Sequence, residues 1–303
     1  MQLRIPNEIR RSILIAAPVE RVFQALTTPA EFGTWFAKDV EGDFEVGSQP
    51  IIDEGEYGRF RLAITAKEPP RYFAFRWVSS PELVPSGFTD DPLTYDNTLV
   101  EFFLSAEAGG TRVEVVESGF ANLPERYAER NFLDNTDGWR YQMASLAEHV
   151  TGVPDAIERK TIIKAKPEEV WQAISDPARF GQWFGCQIEG EFKPGSQPVL
   201  DCGEHGRFRV LIISSDAPNY FAMLGPSGPA TAQGGCEEDP TTVPHTLTEF
   251  WIKATEDGTK VKVRESGFSG LPAEHAKRQH DENVGGWDYQ MPRIKNYVET
   301  GQP

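Results

Sequence analysis

The sequence contains few of the residues that build metal sites and disulfide frameworks. Three cysteines occur among its 303 residues, Cys186, Cys202 and Cys236, and none forms a C-x-x-C motif. An odd, sparse set argues against a disulfide framework and a zinc site, and it suits a reducing compartment. Among the five histidines, His275 and His280 lack the i, i+4 spacing of a helical zinc motif. We therefore predict no bound metal.

Basic residues are also scarce. The chain has 30 lysines and arginines against 46 aspartates and glutamates, which gives a net charge of −16. Nucleic acid and anionic membranes bind clustered basic residues, so neither is an expected partner. No segment approaches the roughly 18 consecutive apolar residues of a membrane span, and residues 1–18 lack an apolar run of signal-peptide length. We predict a cytoplasmic protein.

Short catalytic and cofactor motifs are missing as well. The chain has no Gly-x-Ser-x-Gly elbow, no P-loop, and no G-x-G-x-x-G after a predicted strand. Hydrolase, nucleotide-binding and dinucleotide-binding functions thus lack local support. No cofactor is predicted.

What the sequence does contain is a long internal repeat at an offset of 148 residues. Residues 42–61 and 190–209 are identical at 13 of 20 positions without a gap. The same offset pairs Phe-Gly-Thr-Trp-Phe at 32–36 with Phe-Gly-Gln-Trp-Phe at 180–184. Self-similarity at a fixed period marks a duplicated unit.

The repeat divides the chain into two predicted domains, 1–152 and 153–303. Each length suits one domain with its own core. Because duplication within one chain can replace a homodimer, we predict a monomer whose two copies form a pseudo-dimer.

Hydrophobic periodicity in the first copy predicts one strand, two short helices, six strands and a long helix. The predicted strands span 10–16, 40–45, 49–53, 58–68, 71–78, 98–106 and 111–118, and the predicted helices span 18–27, 29–35 and 124–150. Close strand spacing is typical of an antiparallel meander. The long helix carries Trp139, Met143 and Leu146 on one apolar face, which can cover the sheet. This order predicts an α+β fold in which a curved antiparallel sheet wraps around a long C-terminal helix.

Three segments of the first copy resemble one known family. They are the APxERVFxALTxPxxFxxWF opening at 17–36, the Gly-Thr-x-Val-x-Val-x-Glu-Ser-Gly-Phe strand end at 110–120, and the Gly-Trp at 138–139. Together they resemble the activator-of-heat-shock-protein-90-ATPase-homologue branch of the START-like, or SRPBCC, superfamily, once at 11–150 and again at 159–298. The resemblance implies the helix-grip fold of birch-pollen-allergen-like proteins. It implies little about activity, because the superfamily includes carriers, cyclases, hydrolases and co-chaperone domains.

A glutamate ends the last predicted strand of each copy. Alternation places Val113, Val115 and Glu117 on one face, and the repeat places Glu265 in the same way. The valines mark that face as the inner one. Two interpretations stay open: the carboxylate anchors a ligand or acts as a general base, or it accepts hydrogen bonds from the Ser-Gly-Phe turn or the nearby helix N-terminus.

The other candidate ligand-binding residues are large side chains on the predicted inner surface. Trp35 and Trp183, in the repeated pentapeptide, either line a cavity or pack the short helix onto the sheet. The remaining candidates lie on strands or on the long helices: Phe75, Trp77, Trp139, Met143, Met223, Trp287 and Met291.

The second copy departs from the first at two informative positions. Gly225 replaces Trp77, which predicts an early end of that strand, and Pro292 predicts a break in the final helix. We therefore expect the better-formed cavity in the first copy. Both copies also carry long loops, at 79–97 and 226–245, which predict a flap over the cavity entrance or a contact surface.

Three functions are compatible with these features. The first is a carrier or sensor that binds a small apolar or amphipathic molecule between sheet and helix. The second is an interaction module that contacts a chaperone or another protein, and the third is a cyclase-type or dehydratase-type enzyme with Glu117 or Glu265 as base. We rank them in that order and assign no catalytic residue.

Overall fold

The chain folds into two compact units, Met1–Gly152 and Val153–Pro303, each with its own hydrophobic core. The computed structural model describes residues 6–55, 58–78, 90–228, 231 and 234–302. None of the helices in these ranges is long and apolar enough to cross a membrane.

The first domain has the predicted order of elements. Its helices are α1 (Val19–Thr27), α2 (Pro29–Trp35) and α3 (Glu125–Thr151). Its strands are β1 (Glu8–Ile15), β2 (Asp39–Glu41), β3 (Ile51–Asp53), β4 (Arg59–Glu68), β5 (Tyr72–Trp77), β6 (Thr98–Glu107) and β7 (Gly110–Ser118).

The seven strands form one antiparallel sheet in the order β1-β7-β6-β5-β4-β3-β2. The first strand therefore lies beside the last one, and the remaining strands form a meander. Helix α3 covers the apolar face with Trp139, Met143 and Leu146, all of which are buried. The helix ends at Gly152, whose left-handed φ of 71° suits glycine. The predicted α+β helix-grip fold is confirmed.

The second domain repeats this plan. Its helices are α4 (Pro167–Ser175), α5 (Pro177–Phe184) and α6 (Ala273–Thr300). Its strands are β8 (Ala156–Ile163), β9 (Gln187–Glu189), β10 (Val199–Asp201), β11 (Arg207–Arg209), β12 (Leu211–Asp216), β13 (Tyr220–Pro226), β14 (Gly235–Cys236), β15 (His245–Thr255) and β16 (Gly258–Ser266).

The sheet of the second domain is divided where that of the first is continuous. The counterpart of β4 is interrupted at Val210, so β11 and β12 belong to separate sheets of order β14-β11-β10-β9 and β12-β13-β15-β16-β8. The short strand β14 adds a parallel neighbour to β11. This division lies next to the position where Gly225 replaces Trp77.

Two predictions about the second copy are wrong. Strand β13 does not end early, because Gly225 and Pro226 pair with Thr246 and His245; glycine removes a side chain but keeps its backbone hydrogen-bonding groups. Helix α6 runs through Pro292 without a break. The lost backbone hydrogen bond is outweighed by the burial of residues on both sides of the proline, Trp287, Met291 and Ile294.

The two long loops are described only in part. Residues 79–89 of the first loop, and 229, 230, 232 and 233 of the second, lie outside the described residues, so the predicted flap stays a prediction. The Asp-Pro of the first loop makes a turn, in which Asp91 accepts a hydrogen bond from the backbone N of Leu93 at 2.9 Å.

The repeated pentapeptide packs the short helix against its neighbours. Trp35 Nε1 donates to the carbonyl oxygen of Ala25 at 2.9 Å, and Trp183 Nε1 donates to that of Ala173 at 2.8 Å. Both indoles are buried. Each tryptophan therefore ties α2 to α1, or α5 to α4, by apolar burial and one hydrogen bond.

The glycines of the two pentapeptides differ in what surrounds them. A Cβ on Gly33 would lie 3.4 Å from Val40 Cγ2, whereas a Cβ on Gly181 would collide with the carbonyl oxygen of Cys186. We expect Gly181→Ala to destabilise the second domain by about 2 kcal/mol, because a backbone group must move. Gly33→Ala is the matched control and should change the first domain little. Hydrogen exchange of each domain in the full chain measures both effects, and equal effects would contradict this account.

Candidate functional site

A buried carboxylate joins the sheet to the long helix in the first domain. Glu117, on β7, is fully buried. Its Oε1 accepts hydrogen bonds from Thr98 Oγ1 at 2.6 Å and from Trp77 Nε1 at 2.9 Å. From α3, Trp139 Nε1 donates to Oε2 at 2.6 Å, and Asn135 Nδ2 lies 2.9 Å from Oε1 and 3.0 Å from Oε2. Four side chains thus satisfy one buried charge, as its burial requires.

The second domain repeats this cluster with one donor fewer. Glu265 Oε1 accepts hydrogen bonds from Thr246 Oγ1 at 2.6 Å and Asn283 Nδ2 at 2.9 Å, and its Oε2 accepts one from Trp287 Nε1 at 2.7 Å. The position equivalent to Trp77 is Gly225, which has no side chain to donate.

The glutamates accept hydrogen bonds, but from other donors than the sequence predicts. Neither the Ser-Gly-Phe turn nor a helix N-terminus supplies their donors. Other residues hold the turns: Asn7 Oδ1 accepts from Ala121 N at 2.8 Å, and Asp155 Oδ1 accepts from Ser269 Oγ at 2.6 Å. The glutamates instead accept hydrogen bonds from side chains of the strands and from side chains in the middle of the long helix.

Burial sets the protonation behaviour of both glutamates. It raises the pKa of the Glu117 carboxyl, and the hydrogen bonds from its four donors oppose that shift. It also raises the pKa of the Glu265 carboxyl, again against its hydrogen bonds. Hydrogen-bond donors to the carboxyl oxygens stabilise the charged form. Glu265 has one donor fewer than Glu117, so fewer groups oppose the rise in its pKa that burial causes.

A cleft of about 640 Å³ in the second domain reaches Glu265. Its apolar walls include Phe184, Phe208, Val210 and Gly225. It is also lined by the buried carboxyl group and two of its donors, Thr246 and Asn283, and by the exposed residues Arg278 and Glu282. The volume is within the range of about 300 to 1,000 Å³ that is usual for small-molecule sites.

The indole of Trp77 stands at the equivalent place in the first domain. Its ring centroid lies 5.5 Å from that of Phe60, 5.9 Å from that of Trp139 and 6.1 Å from that of Phe36. Among the described residues, a cleft that reaches the inward-facing glutamate is present in the second domain. The expectation that the first copy has the better-formed cavity stays a prediction.

A disulfide between Cys186 and Cys202 forms part of the cleft wall. The prediction that the chain has no disulfide is therefore wrong. The third cysteine, Cys236, is free and buried. Strands β9 and β10 pair with Gln187 opposite Asp201, so the next residue pair outward is the two cysteines. Their sequence spacing alone does not reveal this pairing.

Most of the predicted ligand-binding side chains lie in the hydrophobic core of their own domain. Of the second-domain candidates, Glu265 lines the cleft directly; the others, Trp183, Met223, Trp287 and Met291, are buried in the domain core. Of the first-domain candidates, Trp77 and Trp139 contact Glu117, and the rest, Trp35, Phe75 and Met143, belong to the core. Trp35 also lines a cleft of its own domain.

Sequence reasoning missed several residues around the glutamates. The threonines Thr98 and Thr246 and the asparagines Asn135 and Asn283 repeat at the 148-residue offset, and each asparagine lies four positions before the tryptophan of its long helix. That helical spacing places both side chains on one face, so they were recognisable from the sequence. Gln290 was also missed: its buried Oε1, in the cleft wall, has no hydrogen-bond partner in the described structure.

The first domain has a separate cleft of about 830 Å³ on the side of Trp35 and Phe36. Glu54 and His149 line it. Burial raises the pKa of Glu54 to about 7. In the described part of the chain, no group of three His, Cys, Asp or Glu side chains is arranged to hold a metal ion.

The raised pKa of Glu54 predicts that the stability of the first domain depends on pH. Its folded-state pKa of about 7 exceeds the ordinary 4.5, so its stabilising effect is present below about pH 4.5 and is lost as the pH rises through 7. Glu54→Gln should therefore stabilise the first domain at pH 8.5 by up to about 3 kcal/mol relative to pH 4.5. Thermal unfolding of both proteins across this range measures the difference, and a difference independent of pH would refute the assignment.

The family of the chain is evident from a comparison with known protein families. The family model described as activator of Hsp90 ATPase homolog 1-like protein matches residues 16–151 and again residues 164–299. Both matches contain the glutamate and the long helix of their domain. No curated protein matches the chain.

The solved structures to which the chain is similar share little sequence with it. DynU16, from the dynemicin biosynthetic locus, is 17% identical over 97% of this chain and 100% of its own, with a TM-score of 0.39. The Aha1 dimer from Colwellia psychrerythraea is 22% identical over 47% of this chain and 95% of its own, with a TM-score of 0.37. CalU16 from Micromonospora echinospora is 24% identical over 48% of this chain and 73% of its own, with a TM-score of 0.34.

Proposed function

The chain belongs to the activator of Hsp90 ATPase homolog 1-like family through both of its domains, and we propose that its second domain binds a small, largely apolar molecule as a carrier or sensor. The observation that carries the proposal is the cleft of about 640 Å³ that ends at Glu265. The first domain serves as a filled counterpart, in which Trp77 takes the place beside the glutamate.

The composition of the cleft supports an apolar ligand with a polar end. Phe184, Phe208 and Val210 offer an apolar surface beside the buried carboxyl of Glu265, and other polar side chains, among them Thr248 and Gln279, share the lining. An apolar site with a few convergent polar groups is the usual architecture of a small-molecule pocket. The carboxyl fixes the orientation of the ligand, and the apolar walls supply most of its affinity.

The rigidity of the site also favours binding. Thr246 on β15 and Asn283 and Trp287 on α6 hold the carboxyl from two elements. The disulfide of Cys186 and Cys202 ties the start of β9 to the end of β10 at the cleft wall. A preformed site loses less conformational entropy when the ligand binds.

An enzymatic function would use the same carboxyl as a base. Burial raises the pKa of that carboxyl although its three hydrogen-bond donors oppose the shift, so proton transfer by Glu265 stays the alternative to anchoring a ligand. An interaction with a chaperone or another protein would need a surface and no cleft. Binding of a small molecule therefore ranks first.

Filling the cleft should abolish ligand binding. A Cβ on Gly225 would meet only Val210 Cγ1 at 3.8 Å, so the backbone accepts a side chain. We expect Gly225→Trp to weaken the binding of prodan, a neutral apolar fluorescent probe, at least tenfold, because the indole occupies the cleft as Trp77 does in the first domain. Fluorescence titration of the full chain measures the affinity.

The control adds an indole outside the cleft. Ile213 is 45% exposed on β12, so Ile213→Trp changes the same domain without filling its interior, and it should bind prodan as the unaltered chain does. Circular dichroism establishes that both variants are folded. Equal prodan affinity in a folded Gly225→Trp variant, or no prodan binding by the unaltered chain, would contradict the proposed function.

A further inference from the structure

We propose that the ligand of the second domain carries a planar aromatic ring with a hydrogen-bond donor on its edge, and that it binds as the indole of Trp77 binds in the first domain. This inference rests on the proposed function and adds the chemical class of the ligand. It follows from a comparison of two sites built from equivalent residues in one chain.

The first domain shows what fits beside such a glutamate. The Trp77 ring lies among four other rings, those of Phe36, Phe60, Phe75 and Trp139, with centroids 5.5 to 6.1 Å away. These are the distances of favourable aromatic pairs. Its Nε1 meanwhile donates to Glu117 Oε1 at 2.9 Å. A flat ring with a donor on its edge thus satisfies both the apolar walls and the carboxyl.

The second domain keeps three of the four aromatic neighbours and lacks the Trp77 ring. At the 148-residue offset, Phe36, Phe60 and Trp139 correspond to Phe184, Phe208 and Trp287, whereas Phe75 corresponds to Met223. Phe184 and Phe208 line the cleft. The Phe184 and Trp287 ring centroids are 6.4 Å apart. An aromatic surface of this kind favours a ring over a flexible aliphatic chain, because ring–ring contacts add to area burial.

The carboxyl of the second domain has capacity for one more donor. Glu117 binds four donor side chains, whereas Glu265 binds three, and the missing one is the indole N–H. An ionised carboxylate has about four acceptor sites. A ligand N–H or O–H directed at Glu265 therefore completes the set that the first domain supplies internally.

Indole and 1-methylindole are the probes for this class, because they have the same ring and differ at the N–H. We expect the unaltered chain to bind indole at least tenfold more tightly than 1-methylindole, since the hydrogen bond to the buried carboxyl of Glu265 is lost. Titrations followed by ¹H–¹⁵N spectra should shift the Trp287 indole N–H signal and leave that of Trp139 unchanged. Gly225→Trp should remove the Trp287 response.

The outcomes separate this inference from the proposed function. If prodan binds and indole does not, or if indole and 1-methylindole bind equally, the ligand class is wrong and the cleft remains a binding site for another apolar molecule. If neither prodan nor indole binds, the proposed function fails and the ligand class with it.

The first domain offers a reciprocal test that does not depend on Gly225→Trp. Trp77→Gly should vacate the space beside Glu117 and lower the melting temperature of the first domain. Added indole should raise that temperature more than 1-methylindole does, because it restores both the ring and the donor. If the two compounds act equally on this variant, the N–H of Trp77 does not matter to the site, which would overturn the equivalence.

Discussion

The buried carboxylate at the end of β7 and of β16 is the constraint on which both domains depend. A charge in an apolar interior is tolerated only when donors surround it. Thr98 and Thr246 supply a donor from the sheet, and Trp139 and Trp287 supply one from the long helix. Because these donors come from different elements, the glutamate determines where along the sheet the helix lies.

The two copies of this site differ at one position beside the glutamate. The first domain completes its carboxylate with its own Trp77, and the second replaces that residue by Gly225. The change costs the second domain a side chain and a hydrogen bond, and it leaves a cleft of about 640 Å³ that reaches Glu265. In the proposed function, the loss of this side chain makes room for the ligand, since a well-packed interior has no room for one.

The fold was predictable from the sequence, and the open site was only partly so. The 148-residue repeat and the alternation of Val113, Val115 and Glu117 follow from local periodicity, which one sequence displays. The same periodicity placed both glutamates on the inner face. It could not identify their donors from the strands, because Thr98 meets Glu117 only through the pairing of β6 with β7.

Three wrong predictions, on the cysteines, Gly225 and Pro292, share one cause. Each needed knowledge of which residues pack or pair with the residue in the folded domain. Cys186 and Cys202 meet because β9 and β10 pair in one register. Gly225 looked like the end of a strand, yet its backbone pairs with Thr246 and only its side chain is absent. Pro292 looked like a break, yet the tertiary packing of α6 maintains the helix. Non-local contacts decided all three.

The central claim is that one of the two equivalent glutamates is open to a ligand and the other is closed by its own chain. Native mass spectrometry of the purified chain, after incubation with a metabolite extract, tests it most directly, with denaturing release to identify what is bound. The account predicts one small aromatic molecule per chain, and none after Gly225→Trp. Two molecules per chain, or the same occupancy in that variant, would contradict it.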